Sequence, residues 1–157
     1  MSYTQGQEAV HLTQPGGLLR RLLARTVDEL LVGVVTVIIG VVSGMSSDLG
    51  IMHNLVVGNI VIAALSVIYF VVFDVTKGRT IGKMLFKLSV RGPRGAYKPT
   101  AKQSAIRNSF YFIQALPVAG TILKLIAYLV IGVSIHRSPT KQGVHDRLAG
   151  GTQVVMG

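Results

Sequence analysis

The chain has 157 residues, half of them hydrophobic and only 14% charged, against roughly 25% charged in a soluble globular domain. It contains no cysteine, which excludes disulfide frameworks, thiol chemistry and cysteine-ligated metals. The formal charge is +10, but aromatics make up 6% and no nucleic-acid module is present, so the basic excess reads as a membrane-topology signal and not a nucleic-acid footprint.

Residues 1–17, MSYTQGQEAVHLTQPGG, are polar and tipped with Gly and Pro, as expected of a mobile tail. A first helix is expected over about 18–46. It opens with Arg21, Arg25, Asp28 and Glu29 and then runs uncharged from Leu30 to Ser47, close to the ~20 residues that cross a bilayer. Its Gly33, Gly40 and Gly44, the last two a GxxxG pair, suit close helix packing within the chain or between copies. The link SSDLG leads into a second uncharged run, Leu49–Phe73, so a second helix is expected over about 50–73. Two antiparallel spans joined by a tight turn is the economical reading. A secretory leader fits less well, because Asp28 and Glu29 stand where such a leader carries positive charge.

Residues 74–100 form a basic loop with Asp74 as its single acid, and the positive-inside rule puts this loop and the N-terminus in the cytoplasm. Within it Ile81, Met84, Leu85 and Leu88 share one face, with Lys83 and Lys87 turned away, as in a short amphipathic helix at the membrane surface. The stretch KGRTIGKM (77–84) is similar to a phosphate-binding loop. It lacks that loop's first glycine and the hydroxyl residue after the lysine, and it follows a membrane helix where the loop follows a strand. A nucleotide site is therefore excluded. Its glycines end the second helix, Thr80 caps the short one, and Lys83 projects toward headgroups or a neighbouring carboxylate.

The last hydrophobic block, Asn108–Ile135, is interrupted by Pro117 and Gly120 and holds Lys124. As one helix it would be ~40 Å long, more than a hydrocarbon core. Two shorter helices, about 101–116 and 119–136, bend at Pro117 and return the basic tail to the cytoplasm. The expected fold is thus an all-α membrane protein: a small transmembrane bundle of two clear spans plus a broken third block of two further helices.

Among polar residues, Arg21, Arg25 and Asp28 share one face of the first helix, and Glu29 is spaced to pair with Arg25. An acid at the edge of a span faces protein or water and finds a partner. Near the C-terminus His145, Asp146 and Arg147 are available to it. Arg21 or Arg25 is expected to meet Asp146, and Asp28 to meet Arg147 or Arg107. Lys124 is read either as snorkelling to an interface or as lining a polar path. No catalytic triad, metal site or cofactor motif stands out, so no enzyme chemistry is expected.

Three pieces in order, RRLLARTVDELLV (20–32), KGRTIGKMLFKLSV (77–90) and QGVHDRLAGGTQVV (142–155), resemble the RDD family of small bacterial membrane proteins. The resemblance carries Arg21, Ala24 and Asp28 from the first piece, and Gly78, Thr80, Gly82 and Lys83 from the second. It carries His145, Asp146, Gly150 and Thr152 from the third, with Arg107 as a recurrent arginine, over residues 18–155. One departure is the doubled glycine of AGGT (149–152). The resemblance implies a multi-pass protein of the cytoplasmic membrane and leaves two functions open. In one, oligomers exchange a monovalent cation for a proton at Asp28 or Asp146. In the other, Arg21, Asp28 and Asp146 form a structural clasp, supported by Arg25, Arg107, His145 and Arg147, in a scaffold that binds a partner membrane protein or lipid. Expected partners are the bilayer, its anionic headgroups, further copies of the chain or another membrane protein.

Overall fold

The computed structural model describes residues 14–43, 50–117 and 119–157. Gly44, most of the expected tail and the link between the first two helices lie outside these residues. Two long helices come first, α1 (Leu18–Val42) and α2 (Ile51–Lys77). Helix α2 stops where Gly78 takes a left-handed φ of 67° and returns its N–H to the Asp74 carbonyl, a glycine C-cap. Thr80 then starts the short helix α3 (Ile81–Leu85), its hydroxyl accepting from the Lys83 N–H at 3.3 Å.

The basic loop continues as strand β1 (Leu88–Arg91) and a 3-10 turn (Pro93–Gly95). Helix α4 (Ala101–Asn108) opens on a capping box: Thr100 Oγ1 accepts from the Gln103 N–H, and Gln103 Oε1 accepts from the Thr100 N–H. A 3-10 helix (Ser109–Ala115) prolongs α4 up to Pro117, and α5 (Ala119–Arg137) starts beyond it. The chain ends with α6 (Val144–Leu148) and strand β2 (Gln153–Met156).

Strand β2 pairs antiparallel with β1, Leu88 opposite Met156 and Val90 opposite Val154. On the other edge of β2, Gly16 donates to the Val154 carbonyl and Met156 to the Gln14 carbonyl. The small sheet packs on the first turns of α1 through Ala24, Leu88, Val90 and Val154. Residues 14–16, the loop after α2 and the C-terminal tail therefore gather at one end of the bundle.

Burial is inverted relative to a water-soluble domain. Among the described residues the buried polar and charged side chains are as numerous as the buried apolar ones. Large apolar side chains point outward instead: Leu30 and Val37 on α1, Ile68 on α2, Leu129 on α5, each more than half exposed. Helices α2 and α5 are long and apolar enough to cross a membrane. A bilayer would cover such faces and leave polar groups to find one another inside.

Helix α3 departs from the expected amphipathic pattern. Ile81 and Leu85 do face outward, but Lys83 is only 6% exposed and points inward, and Leu88 is fully buried in β1. The helix is five residues long, so it ends before Leu88, and an acid on α2 holds the Lys83 ammonium inside. Gly33 packs against nothing: a side chain there would meet open space, so it is not a close-contact position within the chain. Gly40 faces a shallow groove with Asn54 and Gly58 of α2.

Candidate functional site, a buried network of arginines and carboxylates

Four of the chain's six acidic residues, Asp28, Glu29, Asp74 and Asp146, enter the polar network, and each is held in a different way. Asp28, fully buried on α1, accepts from three neutral donors: Thr80 Oγ1 at 2.5 Å, the Tyr69 hydroxyl at 2.7 Å and the Gly82 N–H at 2.7 Å. An acid about three turns into α1 thus grips the N-terminal turn of α3, where backbone N–H groups are otherwise unpaired. Gly82 is required for that approach. A Cβ there would overlap the Ala24 carbonyl oxygen and come within 2.9 Å of the Asp28 carboxyl. Among the described residues no Arg or Lys pairs with Asp28, so the expected meeting with Arg107 or Arg147 does not occur. Asp28 sits against α3, while Arg107 is drawn to two other acids and Arg147 is exposed.

Those two acids are Asp74 and Asp146, both fully buried. Arg107, at the end of α4, stands between them as an ion-pair partner of both: Nε lies 2.9 Å from Asp146 Oδ1, and Nη1 lies 3.6 Å from Asp74 Oδ2. Asp74 also accepts from Lys83 Nζ at 2.8 Å and from Ser104 Oγ at 3.2 Å. Asp146 caps its own helix by accepting from the Gly143 N–H at 3.1 Å and takes the Thr152 hydroxyl at 3.3 Å. Arg21 completes the set, 3.6 Å from Asp146 Oδ2, while its Nε and Nη2 donate to the carbonyls of Gly16 and Val154. The doubled glycine fits this knot: Gly150 and Gly151 have φ of 86° and 91°, and the N–H groups of Gly151 and Thr152 both donate to the Asp146 carbonyl.

A third knot is more open, its carboxylate 25% exposed. Glu29 accepts from Lys124 Nζ at 3.0 Å and from the hydroxyls of Tyr111 and Tyr128. The expected Arg25–Glu29 pair is absent. Arg25 instead lies 3.9 Å above the Phe70 ring, near Phe110 and Tyr111, and donates to Asn108 Oδ1 at 3.2 Å. Lys124 is thereby buried on a carboxylate, not snorkelling.

The expected cluster of Arg21, Asp28 and Asp146 divides accordingly: Arg21 and Asp146 meet, and Asp28 belongs to a separate knot. The residue that joins the pieces, Asp74, was not among the expected site residues. Its signal was legible as a lone acid at the end of an apolar helix in a segment otherwise basic. Tyr69, Ser104, Tyr111 and Tyr128 carry no comparable sequence signal.

Environment sets the charge states at the loop end of the network. Burial would raise the Asp146 carboxyl, but Arg107, His145, the Gly143 N–H and Arg21 outweigh it and hold it below the ordinary value. Burial pushes His145 down to about 3, against the pull of Asp146 and with Arg107, Arg25 and Arg21 adding to it, so the imidazole is neutral at pH 7. Burial also lowers Lys83 to about 8, opposed by Asp74.

Outward apolar helices around an ion-paired, hydrogen-bonded interior define a small helical membrane protein whose motif residues converge from distant parts of the chain. The family model for the RDD family matches residues 15–150, and the chain belongs to that family. Neither the curated proteins nor the solved structures yielded a match.

Proposed function

We propose that this RDD protein is a non-transporting membrane accessory module, in which the arginine and aspartate residues lock the loops and tail onto the helices. The observation that carries this reading is the occupancy of the carboxylates. Asp28, Asp74 and Asp146 are fully buried, and each is engaged by two or more donors of its own chain. A carboxylate that exchanges a cation for a proton needs an open coordination position and a path to water. The surroundings of Asp28 are also hostile to a cation, since Arg21, Arg25, Lys83 and Arg107 line the adjacent cavity. In this reading the lipid-facing surfaces of α1, α2 and α5 are the working surfaces, open to a partner membrane protein, a lipid or a second copy. The basic loop and both ends of the domain then lie on the cytoplasmic side, as the positive-inside rule directs.

The test is cation-driven proton exchange in proteoliposomes, using sodium and potassium gradients with an internal pH dye. We expect no exchange by the intact protein, and lowered thermal stability of both Asp28→Asn and Asp146→Asn in detergent. Exchange by the intact protein that vanishes in a variant that still folds would sink the accessory reading and restore antiport.

A further inference from the structure

At the sheet end of the bundle, between α1 and α5, lies a cavity of about 70 Å³. Its lining is chemically lopsided. Arg21, Arg25, Lys83 and Arg107 contribute four cationic groups, and Asp28 is the only carboxylate among the lining residues. Both oxygens of that carboxylate already accept from Tyr69, Thr80 and Gly82. Two of the cations have donors to spare: Nη1 of Arg21 and Nη1 of Arg107 are buried and make no hydrogen bond. Each lies 3.6 Å from a carboxylate oxygen, inside ion-pair range but beyond a hydrogen bond. Buried charged donors without a hydrogen-bond acceptor are rare, and a bound water or ion is one standard reason for them.

At about 70 Å³ the cavity exceeds the ~10–15 Å³ that a single water needs and leaves room for a compact oxyanion. Guanidinium groups recognise tetrahedral phosphate oxygens through forked N–H donors. The remaining walls are apolar. Leu18 and Leu22 of α1 face Ile131, Gly132 and Ile135 of α5 across the cavity, and a side chain at Gly132 would meet open space. A small polar patch that includes the cationic groups, set in mostly apolar walls at the basic end of the bundle, suits a phosphate group carried into the headgroup layer.

We infer that this cavity binds a phosphate-bearing anion, with Arg21 and Arg107 donating to its oxygens and Gly132 keeping the approach between α1 and α5 open. The inference deepens the accessory reading, and rests on it for its purpose, by naming the lipid chemistry such a module would hold.

The experiment titrates the full chain, delipidated in a neutral detergent, with inorganic phosphate, with phosphatidylglycerol, and with diacylglycerol as the phosphate-free control. Melting temperature and native mass spectrometry report binding. We expect saturable stabilisation by a phosphate-bearing probe and none by diacylglycerol. Gly132→Phe should keep the ligand-free melting temperature and weaken binding at least tenfold, and Arg21→Gln should weaken it where that variant folds. Mutual competition between inorganic phosphate and phosphatidylglycerol supports a free-anion site, and binding of phosphatidylglycerol alone supports a lipid site. A flat titration with both probes, or equal binding by Gly132→Phe and wild type, overturns the inference. The exchange assay fails independently: cation exchange would overturn the accessory reading and leave the phosphate titration to stand or fall by itself.

Discussion

Arg107 is where the network can be broken most informatively. Changing it to Met keeps the stem and removes the guanidinium. Asp74 then retains Lys83 at 2.8 Å and Ser104 at 3.2 Å, so it stays paired. Asp146 loses its 2.9 Å partner and keeps no cation closer than Arg21 at 3.6 Å, with both side chains buried. Stranding a buried charge in this way costs about 3–5 kcal/mol. Asp146→Asn removes the charge but leaves Arg107 near Asp74, so it should cost less, about 1.5–3 kcal/mol for the weakened charged contacts of the carboxylate. In the double variant the stranded charge no longer exists, and it should recover about 1–3 kcal/mol relative to the sum of the singles. Unfolding in mixed micelles followed by far-UV circular dichroism measures all four species. Strict additivity, or a loss below about 1 kcal/mol for Arg107→Met, refutes the reasoning that Arg107 compensates Asp146. Arg107→Lys is a further check: a single ammonium cannot span Asp74 and Asp146, so its stability should fall between wild type and Met.

Gly82→Ala pushes a methyl into the Ala24 carbonyl and the Asp28 carboxyl, and should cost about 1–3 kcal/mol by overpacking. Gly33→Ala, which faces open space, should be neutral or stabilise α1 by up to about 1 kcal/mol, and equal losses in the two variants would dismiss the packing account. Asp28→Asn replaces an all-acceptor group by one with an N–H₂ end facing donors, so it should lose about 1–3 kcal/mol, and Tyr69→Phe less. Acid stability carries a signature of His145. Its folded pKa of about 3 lies below the ordinary 6.5, so the unfolded chain takes up the proton first. Stability should be full above pH 6.5 and decline as the pH falls toward 3, and His145→Gln should flatten that decline in melting temperature. Asp146, held below its ordinary 3.8, adds a second loss as the pH falls below that value. An unchanged profile in His145→Gln would remove the imidazole from the account.

Much of the fold was legible because its signals are local. Uncharged apolar runs marked α1 and α2, an apolar block broken at Pro117 marked α5, and a glycine and a hydroxyl cap marked the turn at Gly78 and Thr80. Pro117, which lacks a donor, marked the break before α5. The motif residues could be picked out one by one, and Arg21 and Asp146 do meet. Their remaining partners could not be read from spacing. Asp28 was set against arginines on charge grounds, yet it binds neutral donors, because the close approach at Gly82 brings the first turn of α3 to it before any cation reaches it. Arg25 and Glu29 were paired by helical spacing and went to different neighbours, Phe70 and Asn108 for one, Lys124 and two tyrosines for the other. A water-exposed helix leaves such i,i+4 pairs to each other, since nothing else is near. Inside a bundle whose outer faces are apolar, every buried charge is matched to whatever the facing helices present, and that choice belongs to tertiary packing alone. Composition and chain order settled that this is a membrane bundle of the RDD kind, while helix packing chose which carboxylate each arginine serves.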